Sequence, residues 1–487
     1  QRGVPRVRTG CLAARNRWRS AGWAMGLIAL VAGSPCWGQG AGAIVDPKQF
    51  GLDLPPGPLH VCQGECVSTV DDDGMLVVGR LHARVGDSAV VMLPDGQLVP
   101  RKRDEFTLTD RKFAPISRGA LATRLDAEFK DFKVRHSKHY VYVCKSSDKF
   151  WIGTTSILET MLDGVMAQAK GFGIQVREPE LPLVVVLFAN KAEFQKYRKV
   201  PDDVTAYYHP LSNRVFLYEP VELGELSREL ALSQAISTVA HEGAHQILHN
   251  IGVQQRLSAW PMWISEGLAE YYAPTTFGKN LAWKGPGRND LRMFELQRYL
   301  KNREKVPADG GMIELTVTTP VLSSTGYASA WAITHFLIKT EKDQFRQYLQ
   351  QVSRLGPLEG PVGGNGSPPV LENLELFQSH FGKDMPALET RLVAYLKRQP
   401  YKDPFADLPH FLVQIVVKID RQLHYQAEIF YSSVLAKAWA DKTIAALPPE
   451  QRAEASLHIA KHDSRAAADL IKKTWLKKGP PVPLNRN

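Results

Sequence analysis

The spacing of apolar positions changes along the chain, and the changes mark out its parts. Residues 41–60 are rich in Gly and Pro and read as a linker. From residue 61 to about 110, short apolar runs recur at Met75–Val78, Ser88–Leu93 and Glu105–Leu108. The turn pairs Asp73-Gly74, Gly86-Asp87 and Asp95-Gly96 interrupt them, which predicts a small β-rich module over residues 61–118. Further on, His139–Cys144 alternates as a strand does, and Leu183–Phe188 (LVVVLF) reads as a buried strand. Helical spacing covers Thr154–Gly171 and Lys191–Tyr197. Val204–Tyr208 and Arg214–Tyr218 flank a turn at residues 209–213 and predict a hairpin. A long helix follows from about Leu226 to Asn250, stopped by Gly252. A shorter one runs from Pro261, a first-turn proline, to Ala273. Asn289–Asn302 and Tyr327–Thr340 are further helices, and Gly356–Pro369 is a flexible loop. The fold class is α+β, with a main domain over residues 119–400 and a mainly helical region over 401–487.

A length of 487 residues suits two or three domains, and 44% hydrophobic with 23% charged residues is a globular balance. The net charge of +10 is partly local, since six arginines and no acid lie in the first 20 residues. No basic run with interleaved aromatics occurs, which argues against a nucleic-acid partner. Those arginines precede the apolar stretch Ala21–Gly33, a pattern that predicts a signal peptide over residues 1–40. The chain is then exported to the periplasm, the cell envelope or the medium, with no membrane span left after processing. An uncleaved N-terminal anchor is the alternative. Of the cysteines past residue 40, Cys62 and Cys66 either pair in an oxidising compartment or remain thiols, and Cys144 is left single.

The densest chemistry lies inside the long helix, where His241-Glu242-Gly243-Ala244-His245 carries H-E-x-x-H. Residues four apart share a helical face, so two imidazoles can grip one Zn2+ per chain. Glu242 sits beside the metal's open position as a general base. A catalytic zinc needs a third protein ligand. His249 continues the series but lies about 12 Å beyond His241 along the axis, too far to share the ion; it reads as a helix-end histidine near the negative dipole end. Leu248 and Ile251 stand where a metzincin has Gly and His. Glu266, in Trp263-Ile264-Ser265-Glu266-Gly267-Leu268-Ala269-Glu270-Tyr271 on the next helix, is the better ligand. Gly267 and Ala269 are small enough to bring the two helices close. Glu270, one turn on, can accept the Nδ1–H of a ligand histidine.

With these two segments the chain resembles the gluzincin peptidases. More closely, it looks like a peptidase-MA-like family of uncharacterised exported bacterial proteins, through PLVVVLFANKAEF, TAYYHPLSNRVFLYE and GYASAWAITHFL over roughly residues 130–400. The resemblance implies a β-sheet lobe whose edge strand lies along the cleft, here Arg214, Val215, Phe216, Leu217 and Tyr218, to which a peptide or protein substrate adds as a strand. It also implies an oxyanion-stabilising tyrosine, for which Tyr327 stands in position and Tyr271 and Tyr272 compete. The aminopeptidases' G-x-M-E-N motif is missing, a departure that counts against exopeptidase activity and leaves endo- versus exo-cleavage open. The expectation is therefore a zinc-dependent peptidase. Its alternatives are a silent zinc-stabilised envelope-binding protein and a hydrolase of a cell-wall amide or ester.

Overall fold

The long apolar runs of the middle region form a central five-stranded sheet. A computed structural model describes residues 43–60, 62, 64–202, 204–220, 228–273, 275–277, 281–303, 311–361, 369–419 and 422–478. The predicted signal peptide lies outside the described residues. No helix among the described residues is long and apolar enough to cross a membrane.

The N-terminal part is all-β: β1 (Ala43–Ile44), β2 (Leu59–His60), β3 (Cys66–Val70), β4 (Leu76–Val85), β5 (Ser88–Met92), β6 (Leu98–Arg101) and β7 (Phe106–Leu108). Its main sheet runs β6-β5-β4-β3-β7, with β2 added to β4, in agreement with the predicted module. The segment read as a linker packs onto the body instead. β1 pairs antiparallel with β15 (Glu359–Gly360), and Leu52 and Leu54 are buried with Leu257 and Leu358. Two leucines spaced for burial outweigh the Gly-Pro composition. Arg256 ties the module down: its buried guanidinium donates to the carbonyls of Gly96, Pro210 and Leu211. Cys62, Cys66 and Cys144 are free thiols.

The main domain follows, with α1 (Arg118–Glu128), β8 (Lys133–His136), β9 (Tyr140–Cys144), α2 (Asp148–Gly171), β10 (Leu183–Phe188), α3 (Lys191–Tyr197), β11 (Ala206–His209), β12 (Arg214–Tyr218), α4 (Arg228–Asn250) and α5 (Met262–Tyr272). Strand order is β11-β12-β10-β9-β8, with β9, β10 and β12 mutually parallel and the two outer strands antiparallel. Runs such as LVVVLF and YVYVC are buried on both faces, as a helix-covered parallel sheet requires. Val141, Val143, Val184 and Val186 pack with α1 and α3; Tyr140, Tyr142, Leu183 and Val185 pack with α2 and α4.

One expectation is corrected here. Arg214–Tyr218 is not the edge strand. β12 lies between β10 and β11, its first four residues are buried, and the Arg214 guanidinium bonds Glu128 on α1 at 2.6 and 2.9 Å. The edge is β11, whose half-exposed Tyr207, Tyr208 and His209 tolerate an open side that the apolar β12 does not.

A small ribbon, β13 (Thr275–Phe277) with β14 (Trp283–Pro286), leads to α6 (Asp290–Arg303), α7 (Met312–Thr318), α8 (Ser324–Thr340), α9 (Lys342–Val352), α10 (Pro369–Phe381) and α11 (Met385–Arg398). Gly267 serves a different contact from the one expected. It brings α5 onto α8, not α4: a Cβ there would lie 2.8 Å from the Ala330 carbonyl oxygen and would overlap the Thr334 hydroxyl. Gly267→Ala is expected to lower stability by about 1–3 kcal/mol through this overpacking, read as a reduced denaturant midpoint at unchanged slope.

The C-terminal region is not mainly helical. β16 (His410–Ile419), β17 (Gln422–Phe430) and β18 (Ser456–His462) form an antiparallel sheet in the order β17-β16-β18, accompanied by α12 (Ser433–Ala445), α13 (Pro449–Glu454) and α14 (Arg465–Lys478). β16 is the central strand, and burial on both faces hides the alternation that would have announced it.

Candidate metal centre

α4 and α5 build the site because each is pinned on its far side. Ala240, Ala244 and Ile247 are fully buried under α4. Gly243 lets α4 approach α2 so closely that any side chain would collide with Leu158. The buried amide of Gln246 donates to the carbonyls of Val184 at 3.0 Å and Asn213 at 2.9 Å, fixing α4 to the sheet and to the β11–β12 hairpin. These contacts leave His241, Glu242 and His245 facing the opposite way. α5, preceded by Pro261 at its N-cap, buries Trp263, Ile264, Gly267 and Leu268, and presents Glu266 and Glu270 toward α4.

His241, His245 and Glu266 come together, their ligand atoms all within 4.8 Å of one another. Glu266 Oε2 is 3.1 Å from His241 Nε2 and 3.4 Å from His245 Nε2. Ligand atoms at ~2.05 Å from a tetrahedral zinc stand ~3.3 Å apart, so this donor set fits that ion with one position left open. His241 Nδ1 meets Glu270 Oε1 at 3.3 Å, which leaves Nε2 facing Glu266. Burial works against a charged His241, but the facing Glu266 and Glu270 outweigh it and hold its pKa well above the ordinary value. Burial likewise opposes ionisation of Glu270, yet His241 and Arg292 draw it down to about 2. Glu266 is held far below the usual carboxylate range by the two histidines, again against burial. Two ionised carboxylates facing two imidazoles make a seat for a cation.

Three supports have no motif in the sequence. Arg292 on α6 grips Glu270 through Nη2 at 2.6 Å and Nε at 3.0 Å, and Asn289 adds a bond at 3.2 Å. The backbone N–H of Tyr208 on β11 donates to Glu242 Oε2 at 2.7 Å, joining the edge strand to the expected base. Only the N-cap pattern Asn289-Asp290 before Arg292 hinted at the first two. Arg292→Ala is expected to weaken metal binding about 10–100-fold by freeing Glu270. A competition titration against a chelator reads it.

Tyr327, in the first turn of α8, has its ring 6.3 Å from the His241 ring and 5.5 Å from the Arg292 guanidinium. The charge of Glu266, then burial, pushes its pKa upward, so it stays a neutral O–H donor. Its two competitors point elsewhere. The Tyr271 hydroxyl bonds Gln168, and Tyr272 is 1% exposed in the core. His249 lies in the last turn of α4 as expected and stacks on Tyr208 at 5.3 Å, and burial drives its pKa down to about 3, so it packs there as a neutral ring.

His241, Glu242 and Tyr327 open onto a cleft of about 1050 Å³ walled by β11, α4, α6, α8 and α12. No curated protein matches the chain. Residues 235–359, which hold His241, Glu242, His245, Glu266, Glu270, Arg292 and Tyr327, match the model of a family described as Protein of unknown function (DUF1570).

Proposed function

We propose that the chain is a zinc-dependent hydrolase of the gluzincin kind that cleaves peptide bonds. The convergence of His241, His245 and Glu266 beside Glu242, at the open edge of a β-sheet, carries this reading. A zinc ion bound there supplies Lewis acidity and a water acidified toward neutrality. Glu242 takes the proton of the attacking water and passes it to the leaving amine. Tyr327 donates its hydroxyl hydrogen to the oxygen on which charge develops. Glu270, steadied by Arg292 and Asn289, keeps His241 in the tautomer whose Nε2 faces the metal position.

β11, not β12, takes the role of substrate-docking strand. In an antiparallel pair, backbone groups alternate between the partner and the open side. Tyr208 N–H points to the open side, where Glu242 occupies it. Two residues back, the N–H and C=O of Ala206 therefore face the cleft and can extend the sheet with a substrate backbone. The arginine-rich leader before the apolar stretch supports a site of action outside the cytoplasm.

Incubating the zinc-loaded chain with a mixed peptide library, with and without a chelator, tests the proposal. New peptide termini appear only in the unchelated sample and return when zinc is restored. Intact peptides in both samples contradict it.

A further inference from the structure

The cleft extends past the metal ligands onto the C-terminal module. α12 has two faces of different character. Ala436 and Ala440 are fully buried against Val413, Ile415 and Val417 of β16. Leu435, Ala438, Trp439 and Lys442, at spacings of three, four and seven, all line the metal cleft. Leu435, a large apolar side chain, is 41% exposed although α12 sits on a core of its own. Lys442 has no acidic partner among the described residues, and Arg298 on α6 lines the same cleft.

The module is held in place by rings. Phe405 stacks on Tyr431 at 4.1 Å, and Phe294 of α6 lies 4.7 Å from Phe405. α6 is also the helix whose Arg292 grips Glu270, so one rigid element spans from the metal support to the module.

We infer that the α12 face is a substrate subsite of the metal cleft, seating an aromatic or large apolar side chain on Leu435, Ala438 and Trp439 with an acidic side chain next to it on Lys442. The inference rests on the hydrolase reading for the bond cut, but the subsite itself binds whether or not turnover occurs. Its chemistry selects an extended polypeptide with a neighbouring apolar–acidic pair. The apolar shelf excludes water around the ring, and the uncompensated lysine selects the charge.

The test uses the full chain, zinc-loaded, as the Glu242→Gln variant so that ligand is not consumed. Fluorescein-labelled Gly/Ala decapeptides carrying one Phe-Glu pair are titrated by anisotropy, beside a peptide without the pair and one carrying Phe-Lys. The pair is expected to tighten binding at least tenfold. Trp439→Ala should remove the gain from Phe. Because Trp439 also packs on Phe430, Ala438→Arg provides a second block from an exposed position. Lys442→Glu, also exposed, should invert the preference so that Phe-Lys binds better than Phe-Glu, an outcome that a structural defect cannot produce. With Glu242 restored, cuts should fall at one fixed spacing from the pair. Equal binding of all peptides, undetectable binding, or an unchanged preference in Lys442→Glu and Ala438→Arg overturns the subsite. Selective binding without any turnover in the Glu242 chain overturns the hydrolase reading and leaves the subsite standing.

Discussion

Glu242→Gln is expected to keep its metal and lose hydrolysis, with kcat/KM falling by about 10²–10⁴-fold or more, the usual worth of a general base. The substitution is nearly isosteric. Its amide oxygen can still accept the Tyr208 N–H that now ends on Glu242 Oε2 at 2.7 Å, so β11 keeps its anchor. His241, His245 and Glu266 are untouched, and only proton acceptance is removed. Steady-state kinetics on a cleaved peptide, with zinc measured in the same sample, check both halves of the expectation. An active variant would move the base to another residue.

Glu266→Ala is expected to have the opposite signature, losing the metal first and the activity as a consequence. Glu266 Oε2 sits between both histidine Nε2 atoms at 3.1 and 3.4 Å, and its removal leaves two neutral ligands where a catalytic zinc needs three. It also removes the carboxylate charge that attracts the cation. Affinity should drop by more than ~100-fold, exceeding the 10–100-fold expected on freeing Glu270 through Arg292→Ala. Chelator competition on the two variants side by side reads the order. A Glu266 variant that binds zinc as well as the parent would place the third ligand elsewhere.

The parts of this site that the sequence announces are those built from local spacing. H-E-x-x-H at i and i+4 places two imidazoles on one face whatever the tertiary structure, and a second helix rich in apolar residues makes its lone pair of carboxylates conspicuous. The β-rich module and the central strands were legible for the same reason, since turn pairs and continuous β-branched runs are local signals. The misses all depend on who neighbours whom. Which hairpin strand becomes the edge is decided by pairing with β10, which no local pattern encodes. Arg292 reaches Glu270 across a gap of 22 residues, and Tyr208 reaches Glu242 across 34, so neither contact leaves a motif. The sheet of β16, β17 and β18 was lost for a related reason: its central strand is apolar on both faces, and such a run cannot be told from a buried helix by period alone.

The metal content of the purified chain, set beside His245→Ala, tests the central claim most directly. Inductively coupled plasma mass spectrometry should find one zinc per wild-type chain and almost none in the variant. A wild-type chain without stoichiometric metal, or a His245→Ala variant that retains it, would contradict a centre built on His241, His245 and Glu266.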